Sequence, residues 1–131
     1  MSCSTLLRPA GLVTGPLSHV VVPAGVVTIY VGGQNGVDAT GAVVAGDVTV
    51  QTRQVFTNIA TALAAAGAEL ADVVSLSILL VDGADLHAAA AAGAEALADL
   101  ADPPLVTVAL VSGLAVPGAL VEVTALAAVQ R

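Results

Sequence analysis

Residues 30–41 read YVGGQNGVDATG, and residues 117–127 read PGALVEVTALA. In the first stretch a β-branched run gives way to Gly32 and Gly33, passes the amides Gln34 and Asn35, and ends on Asp38, Thr40 and Gly41, a turn composition. In the second, Pro117 and Gly118 belong to a loop that releases the chain into an apolar run interrupted by Glu122, which reads as a strand over 120–128. Upstream, the β-branched runs 18–22 and 26–32 flank Pro23, Ala24 and Gly25 and read as a hairpin. Downstream, a short Val43–Val44 segment precedes Asp47, a good N-cap for a helix that runs through Val48, Phe56, Ile59 and Leu63 to Gly67. Glycine there can end the helix in a left-handed conformation. Val48, Val55, Ile59 and Leu63 stand seven, four and four residues apart and mark one apolar face.

Beyond Asp72 the run 73–81 is a third strand, and Asp85 caps a second helix from 86 to about 100, stopped by Asp102, Pro103 and Pro104. The tract LHAAAAAGAEALADLA within it has good helix boundaries and is read as a lightly packed helix. Strands 105–111 and 120–128 close the chain. The order β-β-α-β-α-β-β predicts an α+β domain over residues 1–131, a mixed β-sheet with two helices on one face.

Composition bears on the other face. Hydrophobic residues make up 57 % and charged residues 10 % of 131, against roughly a quarter charged in ordinary usage. Strand 105–111 carries apolar residues at alternate and adjacent positions, and two helices cover only one side of a sheet, so self-association is expected. Arg8, Arg53 and Arg131 are the only permanent cations, and the net charge is −7. Such a chain repels phosphate backbones, so no nucleic-acid partner is expected. The apolar runs fall short of the ~20 residues of a membrane helix. No membrane partner and no secretion signal are expected, and the lone Cys3 fits a cytoplasmic setting. His19 and His87 have no Cys or acidic residue at ligand spacing, and Gly32, Gly33 and Gly36 do not match a dinucleotide fingerprint. Neither a metal nor another cofactor is expected.

With GPLSHVVV from Gly15, QTRQVFTNIATALAAAG and DVVSLSILLVD between them, the two opening stretches resemble the RidA/YjgF family of small trimeric proteins. The resemblance covers almost the whole chain. It implies a chorismate-mutase-like homotrimer whose sheets form a central barrel-like core, with clefts between subunits. Deaminases of that family hydrolyse 2-imino or enamine acids to 2-keto acids and ammonia. An arginine two residues after a proline grips the substrate carboxylate, and a water attacks the imine carbon.

Carried over residue by residue, the pattern departs at most polar positions. Leu17 stands where a cleft tyrosine is usual, Gly32 replaces a serine, and Ala89 or Ala90 falls where a polar residue of the second helix would be. The arginine position is Val106, and the position two further on, often cysteine, is Val108. Gly33 and Gln34 are retained. So is Glu122, which by the resemblance helps to hold the water.

Each polar candidate also has a structural reading. A carboxylate at Glu122, among Leu120, Val121 and Val123, is costly to bury unless it is paired, so an arginine partner is the alternative to a catalytic role. Gln34 and Asn35 sit where side-chain amides often satisfy loop backbone. His19 is a second titrating candidate for the cleft, whereas His87 reads as a surface helix residue. Arg53 is either one half of an ion pair or a replacement anion anchor, Asn58 packs against a strand end, and Cys3 lacks a visible base. Two functions follow: a divergent hydrolase or deaminase acting on a small imine, enamine or related carbonyl compound in an intersubunit cleft, or a non-catalytic trimer that binds a small molecule or protein partner there. An endoribonuclease fits this lysine-free, anionic chain poorly.

Overall fold

In the computed structural model, residues 4–7, 10, 20–23 and 25–130 are described. Four strands form the main sheet: β3 (Val26–Asn35), β4 (Val73–Val81), β5 (Leu105–Val111) and β6 (Val121–Gln130). Their spatial order is β3-β6-β4-β5. The β3/β6 and β6/β4 pairs are antiparallel and the β4/β5 pair is parallel, so the sheet is mixed. A parallel pair needs a crossover. Helix α2 (Leu86–Ala96) supplies it.

One expectation is corrected. β2 (Val20–Pro23) pairs antiparallel with β1 (Ser4–Leu7) in a separate two-stranded sheet, not with β3 in a hairpin. Pro23 has no N–H to give to a ladder, and the partner strand is four residues long and lies far from β3 in the sequence. Gly25, at φ +62, turns the chain into β3.

Helix α1 (Val48–Ala65) begins where the sequence predicts. The Asp47 carboxylate accepts the N–H groups of Thr49 and Val50 at 3.0 and 3.2 Å. Its end is a Schellman motif: the Ala68 N–H reaches the Leu63 carbonyl at 2.9 Å and the Gly67 N–H that of Ala64 at 3.1 Å, with Gly67 at φ +73. Val48, Val55, Ile59 and Leu63 are all buried against the sheet. Each such side chain contributes about 1.5–3 kcal/mol relative to leaving it exposed. A short 3₁₀ turn, Leu70–Asp72, leads into β4.

Asp85 caps α2 by accepting the Ala88 N–H at 3.0 Å. The helix ends at Ala96 rather than near residue 100: the Leu97 N–H is shared between the Gly93 and Ala94 carbonyls, and the Ala98 and Leu100 N–H groups bond carbonyls three residues back. Leu76 and Leu80 of β4, with Val121, Val123, Ala125 and Ala127 of β6, form the sheet's contribution to the core under both helices.

Two bulges shape this sheet. Between the Val31↔Ala125 and Gln34↔Val123 pairs, β3 carries one extra residue at the Gly32–Gly33 pair. Between Val73↔Ala127 and Ser75↔Leu126, β4 carries another at Val74, so adjacent Val73 and Val74 are both buried. The face turned away from the helices is mixed rather than wholly apolar. Ser75, Ser77 and Leu79 lie across from Leu126, Thr124 and Glu122, and Tyr30, in register with Leu126, is 79 % exposed. β5 is an edge strand on which Val108 and Leu110 remain exposed. Among the described residues no helix is long and apolar enough to cross a membrane.

Candidate functional site

Glu122 lies on β6 opposite Asn35 on one side and Leu79 on the other. It is partly buried, on the sheet face away from the helices. Its carboxylate rests against the β3 bulge: a Cβ built on Gly33 would stand 3.0 Å from Glu122 Cδ and 3.1 Å from its Oε2. A Cβ at residue 33 would therefore push the Glu122 side chain aside by a few tenths of an ångström. Among the described residues the carboxylate has no hydrogen-bond or ion-pair partner. The arginine pair offered as its structural alternative is not formed by Arg53, which binds Glu95 of α2 through Nε at 3.0 Å with both side chains well exposed. At Gly32 an added Cβ would meet nothing within 4 Å, so packing does not forbid the serine of the resemblance.

Three amides hold the strand ends around this acid. Asn58 on α1 donates from Nδ2 to the carbonyls of Asn35 at 3.1 Å and Val37 at 2.8 Å. Asn35, itself buried, donates to the Val121 carbonyl at 3.1 Å and ties β3 to the residue before Glu122. Gln51 is 97 % buried and clasps the approach to β6, donating to the Gly118 carbonyl at 3.1 Å and accepting the Leu120 N–H at 2.8 Å. Its backbone also presses on Gly36, where a Cβ would come within 2.8 Å of Gln51 Cα. The sequence reading missed Gln51, since a lone glutamine on a helix carries no motif. Gln34 makes no bond to Glu122: it donates to the Gly32 carbonyl at 3.1 Å and lines a cleft with Gly33, Asn58, Gln54 and Asp38 that Glu122 does not border. There the Thr40 hydroxyl, then the Ala42 and Thr40 N–H groups, hold the Asp38 carboxyl below its ordinary pKa.

Val106 and Val108 lie on the opposite face of the sheet from Glu122. They pair with Leu76 and Ile78 and look toward α2. With Ala89, Ala90 and Gly93 of α2 they border an apolar cavity of about 410 Å³ that reaches inward to Thr52 and Phe56 of α1. No charged side chain lines it. The alanine tract is the sequence signal for this space: a helix of methyl groups cannot reach the sheet as leucines would. Within one chain, then, the acid half and the apolar half of the candidate site lie on two faces of the sheet. Leu17 and His19 lie outside the described residues, and His87 is exposed on α2. Among the described residues no group of His, Cys, Asp or Glu could hold a metal ion.

The family described as Endoribonuclease L-PSP matches residues 8–129. A 2-iminobutanoate/2-iminopropanoate deaminase of Capra hircus is 41 % identical over 86 residues, which are 65 % of this chain and 60 % of that protein. The protein of that name from Bos taurus is 41 % identical over 80 residues, 60 % of this chain and 56 % of that protein. The matched segments thus span about three-fifths of the length of either deaminase. Among solved structures, the Rid-family protein YyfB of Yersinia pestis, of unknown function, superposes with a TM-score of 0.84 at 30 % identity, over 97 % of this chain and 99 % of that one. Rv2704 of Mycobacterium tuberculosis, a YjgF/YER057c/UK114 family member, gives 0.67 at 29 % identity, over 96 % and 99 %.

Proposed function

The chain belongs to the Endoribonuclease L-PSP family, the RidA/YjgF proteins, and on that premise we propose that it is an imine-hydrolysing deaminase for substrates without a carboxylate, working in a cleft completed between subunits of a homotrimer. The observation that carries this reading is the Glu122 carboxylate, accessible, seated against Gly33 and free of any cation among the described residues. A carboxylate so placed accepts a proton from a water as that water's oxygen bonds to the imine carbon. It returns that proton to the nitrogen, giving a carbinolamine, and then carries the hydroxyl proton to the nitrogen as the C=O bond forms and the C–N bond breaks. The products are a carbonyl compound and ammonia, and no redox partner is needed.

The deaminases named above act, by their names, on 2-imino acids. A guanidinium clamps a carboxylate through charge-assisted hydrogen bonds of roughly 1.5–3 kcal/mol each. Val106 offers none, and the lining around it is uncharged. RNA is a poor substrate for such a chain, because a net charge of −7 without lysine removes the grip on phosphates. A second reading, a non-catalytic binding trimer, is favoured by the same apolar lining.

Ammonia release decides between them. With a neutral N–H ketimine and a 2-imino acid offered in parallel, the expected result is turnover of the first, loss of that turnover in Glu122→Gln, and at least a hundredfold lower rate on the second. Turnover of neither substrate would leave the binding module. Efficient turnover of the 2-imino acid would mean that another cation holds its carboxylate.

A further inference from the structure

Thr52 is 3 % exposed on α1 and lines the apolar cavity, and its hydroxyl has no hydrogen-bond partner among the described residues. Threonine in a helix ordinarily returns its hydroxyl to the carbonyl four residues back. Thr57 and Thr61 of the same helix do this, bonding the carbonyls of Arg53 at 3.1 Å and Thr57 at 3.0 Å. Thr52 does not. A buried hydroxyl left unpaired is costly, and it is the one polar side chain on a wall otherwise made of aliphatic groups, Phe56 and glycine. The mouth of the cavity is apolar too, with Leu86 48 % and Val108 47 % exposed at its edge.

A volume of about 410 Å³ sits at the small end of ligand pockets, which run roughly 300–1,000 Å³. Charged ligands are disfavoured there, since nothing would replace their hydration. We propose that the cavity between α2 and the sheet binds a short, uncharged aliphatic carbonyl compound, its chain among the α2 alanines and its oxygen accepting a hydrogen bond from the Thr52 hydroxyl. Threonine populates two χ1 rotamers in a helix, so more than one direction is open to the hydroxyl at little cost. The inference deepens the reading of Glu122 as a hydrolase acid by naming its product class, a neutral aliphatic ketone, and rests on that reading only for the link to turnover.

The probe is 2-hexanone, titrated into the full-length protein by calorimetry or by ¹H–¹⁵N chemical-shift mapping. Saturable binding is expected, with shifts on α1 and α2 around Thr52 and Ala90. Thr52→Val keeps the side-chain shape and should weaken 2-hexanone about three- to tenfold, the equivalent of one neutral hydrogen bond, while leaving n-hexane unaffected. Ala90→Leu, on an exposed position of α2 that borders the cavity, should abolish binding with the fold intact. Hexanoate should not bind. No saturable binding of 2-hexanone to the wild-type protein, equal affinity in Thr52→Val, or hexanoate binding as tightly as the ketone would each overturn the proposal. Ketone binding without ammonia release would sink the hydrolase and keep this site. Ammonia release from a neutral imine with no ketone affinity at Thr52 would do the reverse.

Discussion

The two helices lie on the same face of the same sheet and meet it differently. Under α1 every apolar residue of the predicted stripe is nearly or fully buried, and two of its polar residues, Gln51 and Asn58, hold backbone groups at the ends of β3 and β6. Under α2 the contacts come from alanines and Gly93, and a cavity remains with an unpaired hydroxyl on its far wall. This space opens to solvent past the exposed Leu86 and Val108, so it is a cleft and not a void sealed in the core. The filled side holds the strands, whereas the unfilled side is the place a ligand can enter.

Substitutions on the two sides should separate accordingly. The largest loss is expected at Ile59→Ala, fully buried under α1, at about 2–5 kcal/mol, read from urea unfolding at fixed protein concentration. A loss below 1 kcal/mol would mean that the α1 side is as loosely filled as the other. Gln51→Ala should cost about 1–3 kcal/mol, because the Leu120 N–H and Gly118 carbonyl both lose a buried partner. Gly93→Ala should instead raise stability by about 0.5–1 kcal/mol, since the nearest atom to the new methyl group is Phe56 Cε2 at 3.9 Å. Destabilisation there would show α2 to be closer to the sheet than the cavity implies.

The smallest effect belongs to the surface turn that Asp38 makes with Thr40 and Ala42. Its carboxyl pKa is depressed in the folded protein by the Thr40 hydroxyl foremost. The contribution is therefore present above the ordinary value of 3.8 and fades as pH falls through the folded one. Wild type and Asp38→Asn should differ in urea midpoint at neutral pH and converge in acid. A gap that widened on acidification would reverse the sign.

Much of this was legible in the sequence because it depends on local chemistry. Asp47, Gly67 and Asp85 mark helix ends through their own backbone neighbours, and the seven-four-four spacing of Val48, Val55, Ile59 and Leu63 names a face without reference to anything distant. The partner of β2 was not legible, since strand pairing is decided between segments and a Pro-Ala-Gly connector fits more than one. For the site, Glu122 and Gly33 were named by pattern, but their contact across a bulge comes from the one-residue register shift that only the paired strands reveal. Gln34, named beside them, faces another cleft. Thr52 and Gln51 were missed for a common reason: each matters through what it meets, or fails to meet, on an element far away in the chain.

Glu122 lies on one face of the sheet and Val106 and Val108 on the other, so the proposed site needs a second chain to be whole. Light scattering coupled to gel filtration, with ammonia release from a neutral imine assayed across the same column fractions, tests it most directly. The expected result is the mass of three chains, with activity confined to that peak. An active monomer would contradict it.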